Sequence, residues 1–203
     1  MDIKKLSKQI YPMQSPKEIK FMFDILEEVR PKKILEIGTG CGAFTTLLAA
    51  YGSVVTIDKR EAGPDKRHNW NTLYEDGFIT KAIHDRIKFV LGDSTNPTIV
   101  KKVTDKYDMI IIDGGHERDV GWSDWNNYSP MAPVIAIHDI SDYEEKGKWH
   151  VCFPSELWSI IKKKKYKTKE ITPLAGGWGV VWNPTLDIVR PVSQQGIFDK
   201  ESL

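Results

Sequence analysis

The stretch Lys33-Ile34-Leu35-Glu36-Ile37-Gly38-Thr39-Gly40-Cys41-Gly42-Ala43-Phe44 decides the fold. An apolar run that ends in an acid and three alternating glycines reads as a buried strand breaking into a tight turn. The turn opens a helix over residues 42–50. Glycine suits that turn because the backbone there takes conformations closed to side chains and a ligand must approach it closely. The first N–H groups of the helix then face an anion or a carboxylate. The stretch is therefore a loop for a nucleotide-type cofactor.

Two cofactors compete for it. Gly38-x-Gly40-x-x-Ala43 satisfies the dinucleotide fingerprint, and Asp58 closes the next apolar run about 20 residues on, where a ribose-binding acid belongs. That reading makes the chain an NAD-dependent oxidoreductase. The same residues resemble motif I of the class I S-adenosylmethionine-dependent methyltransferases, acidic-x-Gly-x-Gly-x-Gly, with Glu36, Gly38, Gly40 and Gly42 matching in turn. The resemblance implies S-adenosyl-L-methionine as cofactor, with Glu36 near the ammonium of its methionine end. A pyrophosphate gains nothing from a carboxylate there, so Glu36 favours the methyltransferase.

With 203 residues the chain is most simply one domain, long enough to bury a substantial core. A formal charge of +1 gives no global field to recruit nucleic acid or an anionic membrane. Cys41 and Cys152, the two cysteines, cannot build a disulfide framework, and a reducing, cytoplasmic setting is expected. Met1-Asp2-Ile3-Lys4-Lys5 lacks the apolar core of a signal peptide, and no uninterrupted stretch reaches membrane length.

Along the chain, strands are expected at 33–37, 54–58, 87–91, 109–112 and 134–137, all rich in Ile or Val, as in a sheet covered on both faces. Helices are expected at 16–29, 42–50, 68–83 (weakened by Gly77), 97–104, 118–127 and 155–164. Ser15-Pro16-Lys17-Glu18 is a helix start with Ser at the cap, Pro first and Glu third. Alternation of strands and helices means a doubly wound, three-layer α/β sheet. Residues 166–172 and 178–182, joined at Gly176-Gly177, read as a hairpin that reverses the last strand. That reversal resembles the Rossmann-like seven-stranded methyltransferase sheet, mostly parallel with an antiparallel last strand. Residues 1–183 are expected to form one domain, with 1–31 a helical cap, and 184–203 a tail able to act as an arm in a homo-oligomer. Lys162 to Lys165 read as a solvated helix end.

In an open parallel sheet the ligand lies beyond the carboxyl ends of the strands. Those ends carry Glu36, Asp58, Asp93, Asp113 and His138-Asp139. Asp58 can accept both ribose hydroxyls. Gly92-Asp93-Ser94 resembles the family's adenine-contacting segment, and it is also a good turn and cap sequence.

Asp113-Gly114-Gly115-His116 after one buried run and His138-Asp139-Ile140 after the next resemble a branch of the class I family close to the cephalosporin-hydroxylase-like and macrolide-sugar O-methyltransferases. The resemblance covers roughly residues 14–182. It implies a metal site in which Asp113 supplies one ligand and His138 and Asp139 two more, for Mg²⁺ or Mn²⁺. His138 departs from the Asp more usual there and shifts preference toward Mn²⁺, Fe²⁺ or Zn²⁺, or is no ligand at all. His116 stands where those enzymes carry a general base. An imidazole titrating near pH ~6.5 can take a hydroxyl proton at neutral pH. Asp119 and Asp124 could orient His116 or, more simply, cap the next helix.

The acceptor pocket is expected to be lined by Tyr11 to Gln14, Trp122, Trp125 and residues 143–153. Aromatic faces beside polar groups suit a small hydroxylated molecule, a sugar or a secondary metabolite. The Asn/Asp-Pro-Pro-Tyr signature of methyltransferases acting on nucleic-acid amines is absent after the fourth strand, so no nucleic-acid partner is expected. A cofactor-binding protein without methyl transfer is the remaining alternative.

Overall fold

Successive residues of the buried strands point to opposite sheet faces, and both sides are apolar, so helices must cover each. The computed structural model describes residues 10, 12–60, 69–145, 148–150, 153–172, 176–184 and 188. Strands β1 (Lys33–Ile37), β2 (Ser53–Asp58), β3 (Ile87–Leu91), β4 (Met109–Ile112), β5 (Val134–Ser141), β8 (Lys167–Ile171) and β9 (Gly176–Trp182) form a seven-stranded sheet. Its order is β3-β2-β1-β4-β5-β9-β8. β1 to β5 pair in parallel, and β9 runs antiparallel to both β5 and β8. β6 (Tyr143–Glu145) and β7 (Lys148–His150) form a separate small hairpin, which the sequence reading did not anticipate.

Ile34, Val54, Ile111 and Val180 pack under α1 (Pro16–Val29), α2 (Ala43–Ala49), α3 (Trp70–Glu75) and α4 (Lys81–His84). Leu35, Ile37, Ile110, Ile137 and Val181 pack under α5 (Pro97–Lys101), α6 (Arg118–Tyr128) and α7 (Phe153–Lys163). These are the two outer layers of a three-layer sandwich. Among the described residues no helix is long and apolar enough to cross a membrane.

α1 starts as its sequence dictates. Glu18 N–H donates to Ser15 Oγ at 3.4 Å, and Ser15 N–H donates to Glu18 Oε2 at 2.8 Å. The single helix expected over 68–83 is instead two short ones, because Gly77 adopts φ +74 and ends the first. Gly176 and Gly177 belong to β9 rather than to a turn. The tail lies almost wholly outside the described residues, so its expected role as an arm is untouched by the structure.

Candidate functional site

Order along the sheet reverses between β1 and β4, and the crevice above that switch point holds the site. Gly38 N–H donates to Ile57 O and Asp113 N–H donates to Ile37 O, so the loops after β1 and β4 cross at close quarters. A Cβ on Gly38 (φ +93) would lie 2.0 Å from the Asp113 carbonyl oxygen, which makes glycine obligatory there. Gly38, Gly40, Asp58, Asp93, Ser94, Asp113, His116, His138 and Asp139 line one open cleft of about 600 Å³, together with Glu36. Gly42, with φ +84, starts α2.

On one side of the cleft the glycine loop is tied down. Asp58 Oδ2 accepts from Thr39 N–H at 3.1 Å and Gly40 N–H at 3.2 Å, while Oδ1 accepts from Arg60 N–H at 3.0 Å. Asp58 thus holds the loop as well as facing the cleft. Glu36, 1% exposed, lies beside Thr56 in the parallel register and points toward α2. Its Oε2 accepts from the Thr45 and Thr56 hydroxyls, each at 2.6 Å. Burial pushes its carboxyl up to about 8, against the pull of those two hydroxyls, and the nearby Asp113 and Asp58 add to the rise. Exposed Asp93 folds back on its own turn: Oδ1 accepts from Thr95 N–H at 2.9 Å and Thr95 Oγ1 at 2.7 Å. Those bonds hold its carboxyl below the usual range. The turn reading of Gly92-Asp93-Ser94 is therefore realised in the structure.

Across the cleft, β5 ends irregularly. Adjacent residues of a regular strand face opposite ways, yet His138 and Asp139 each bring a donor atom within 4.8 Å of one on Asp113. The register shift between His138 and Ser141 and the left-handed Asp139 (φ +56) turn them together. His138 Nδ1 lies 3.0 Å from Asp113 Oδ1 and 3.5 Å from Asp139 Oδ2. One donor atom from each of the three falls within 4.8 Å of the others, so they could grip one cation. Gly176 makes room, since a Cβ there would sit 2.3 Å from Asp139 Oδ1. His116 Nε2, on an exposed side chain, is 3.3 Å from Asp139 Oδ2.

Two residues of the N-terminal segment join this side. His138 Nε2 meets Glu18 Oε1 at 2.9 Å, and Gln14 Nε2 donates to Asp113 Oδ2 at 3.0 Å. Burial alone would lower the imidazole, but Asp113, Asp139 and Glu18 raise it to about 12. Burial likewise lifts the Glu18 carboxyl, and its bonds with His138 and Ser15 reverse this to a net lowering. Three carboxylates around one imidazole leave excess negative charge, which fits a divalent cation. Glu18 would then stand behind His138, fixing the ring by its far nitrogen.

Two expectations fail. Trp122 and Trp125 are 1% and 2% exposed and pack in the core, with Trp122 edge-on to Phe153. Their spacing puts them on the face of α6 turned to the sheet, so they do not line the cleft. Asp124 caps no helix; it lies mid-helix, 1% exposed, with Oδ2 3.3 Å from where a Gly114 Cβ would be. Neither oxygen takes a hydrogen bond of regular geometry among the described residues, although the Ser94 hydroxyl lies close enough to oppose the shift. Burial pushes its carboxyl up to about 7. Of the expected acceptor wall, Met13 and Gln14 line the cleft, while Tyr11 and part of 143–153 fall outside the described residues.

Several solved structures share the architecture. A putative caffeoyl-CoA O-methyltransferase from Staphylococcus aureus superposes with a TM-score of 0.65 at 18% identity, covering 90% of this chain and 92% of its own. The O-methyltransferase TomG from Streptomyces achromogenes, involved in tomaymycin synthesis and solved with SAM, gives 0.62 at 14% identity, with 91% of each chain covered. The methyltransferase domain of a bacterial CtHen1 gives 0.60 at 12% identity, covering 81% of this chain and 96% of its own. At such identities the likeness is one of fold. No curated protein sequence matches the chain significantly. A family described as methyltransferase domain matches residues 35–140, just over half of the 203, and the chain belongs to that family.

Proposed function

We propose that the chain is an S-adenosylmethionine-dependent O-methyltransferase acting on a small hydroxylated molecule, a sugar or a secondary metabolite. Residues 1–183 act in this reading as one catalytic unit capped by 1–31. The observation that carries it is the shared cleft: a glycine loop with Glu36 and Asp58 on one wall, His116 with Asp113, His138 and Asp139 on the other. The named O-methyltransferases of like fold, one of them solved with SAM, lend support.

In this reading Glu36 and the loop of Gly38, Gly40 and Gly42 receive the methionine end of the cofactor. Asp58 takes the ribose hydroxyls with the lone pairs its backbone bonds leave free. The Ser94 segment borders the adenine, with Asp93 offering the oxygen its turn does not use. His116 donates Nε2–H to Asp139, which leaves Nδ1 as the base. Nδ1 takes the acceptor hydroxyl proton as the oxygen attacks the sulfonium methyl; the O–CH₃ bond forms while the CH₃–S bond breaks and its electron pair returns to sulfur. Asp139 stabilises the resulting imidazolium. Alignment of the two reactants is the larger contribution of the protein. A divalent cation such as Mg²⁺ or Mn²⁺, held by Asp113, His138 and Asp139, would supply charge that eases deprotonation of the acceptor.

The test is transfer of labelled methyl from S-adenosylmethionine to a panel of hydroxylated sugars and phenols, with and without Mn²⁺. With an accepted substrate, His116→Ala is expected to lower kcat by about 10²–10⁴-fold and leave S-adenosylhomocysteine binding unchanged. Unchanged turnover would remove His116 from the base role.

A further inference from the structure

Beneath the glycine loop lies a buried polar cluster that a purely structural core would not need. Thr39, Thr45 and Thr56 are 4%, 0% and 0% exposed, and Glu36 is 1%. A valine would fill the two wholly buried threonine positions with the same shape, and a buried hydroxyl is costly unless bonded. Here every hydroxyl is bonded, and the bonds converge. Thr56 spends its one proton on Glu36 Oε2, so its oxygen accepts from Thr39 Oγ1 at 2.6 Å. Thr45, from the first turns of α2, donates to the same Oε2. Both hydroxyl donors to Glu36 go to Oε2, and Glu36 borders the cleft. Thr39 also gives its N–H to Asp58, so one residue ties the Glu36 network to the acid at the end of β2.

We infer that Thr45 and Thr56, with Thr39 behind them, are positioning residues that hold Oε2 of Glu36 and turn Oε1 toward a primary ammonium, the amino-acid end of the cofactor. The inference rests on the S-adenosylmethionine reading and adds to it the device that selects the aminoacyl part. Two hydroxyl donors on one oxygen fix the rotation of the carboxyl group, and the positive charge of an ammonium draws it into the ionised form that burial disfavours. The network reaches Glu36 from β2, α2 and the glycine loop, so the aim of Oε1 is set before the ligand arrives. Asp58, the acid for the ribose, is held by the backbone N–H groups of Thr39 and Gly40, which substitution of the Thr45 or Thr56 hydroxyl leaves in place.

The experiment compares two probes by calorimetry. S-adenosylhomocysteine carries the amino-acid end; 5′-methylthioadenosine has the same adenosine and sulfur without it. Thr45→Val and Thr56→Val are each expected to weaken S-adenosylhomocysteine about tenfold, the size of one bond to a charged group, and to leave methylthioadenosine unchanged. Thr45→Ser and Thr56→Ser, which keep the hydroxyl, should restore the wild-type ratio and cover the case of a valine variant that fails to fold. Equal losses for both probes, or no loss for either, would overturn the inference while leaving the cofactor reading standing. Failure of the unaltered protein to bind S-adenosylhomocysteine would overturn the cofactor reading and this inference with it.

Discussion

The two walls of the cleft are built by different means. On the β1–β2 wall, parts close in sequence do the work: Glu36, the glycines, Thr45 and Asp58 fall within 23 residues and are held by backbone bonds and neighbouring hydroxyls. On the β4–β5 wall the groups come from afar. His138 bonds to Glu18, 120 residues away, and Asp113 to Gln14, 99 residues away. The first wall tolerates almost no change of backbone, because its shape is its function. The second depends on ionic side-chain contacts that only the assembled fold creates.

That difference predicts where substitutions hurt. The largest effect belongs to Gly38→Ala, whose Cβ would strike the Asp113 carbonyl backbone at 2.0 Å. The loop must shift, and a loss of roughly 4 kcal/mol in urea unfolding is expected, together with cofactor binding. Glu18→Ala on the opposite wall leaves the buried His138 Nε2 without its carboxylate partner and removes a capping box. A cost of about 3 kcal/mol is expected, with Glu18→Gln losing less because it still accepts a bond. Should Glu18→Ala unfold like wild type, the long-range wall is not held as described.

Asp124 tests the floor below both walls through pH. Its folded carboxyl stands at about 7, above the ordinary Asp value, so between about pH 4 and 7 the folded state keeps a proton that the unfolded chain has released. Stability from this group therefore falls as pH rises through that window, and the penalty is complete above it. Asp124→Asn should flatten the decline and stabilise the protein at pH 8 by on the order of 2 kcal/mol. A variant whose pH profile matches wild type would show that Asp124 is solvated or paired.

The smallest effect is expected from Gly40→Ala. Its Cβ would meet only Met13 Sδ at 3.9 Å, leaving the φ +54 backbone as the sole cost, about 1 kcal/mol. A Gly40→Ala loss equal to that of Gly38→Ala would mean that backbone conformation, and not the close crossing with β4, governs the loop.

The same contrast explains what could be read from the sequence. The seven-stranded sheet and its reversed last strand were legible, because each element rests on local patterning: Ile-rich runs, a capping box, glycines at a turn. The ionisable residues at the strand ends were legible as well, since the strands deliver them to one edge. Glu18 was legible only as a helix cap; nothing near it in sequence signals that its second oxygen meets His138. Gly176 reads as a turn residue, and its use in clearing space for Asp139 appears only once β9 lies against β5. Trp122 and Trp125 were placed in the pocket by their chemistry, while helical spacing sent them to the core.

Calorimetric titration of the metal-stripped protein with S-adenosylhomocysteine, repeated with Mg²⁺ or Mn²⁺ and with NAD as control, decides which cofactor the glycine loop takes. S-adenosylhomocysteine is expected to bind in roughly the micromolar range and NAD not at all. Binding of NAD alone would contradict the S-adenosylmethionine reading and make Glu36 incidental to a dinucleotide loop.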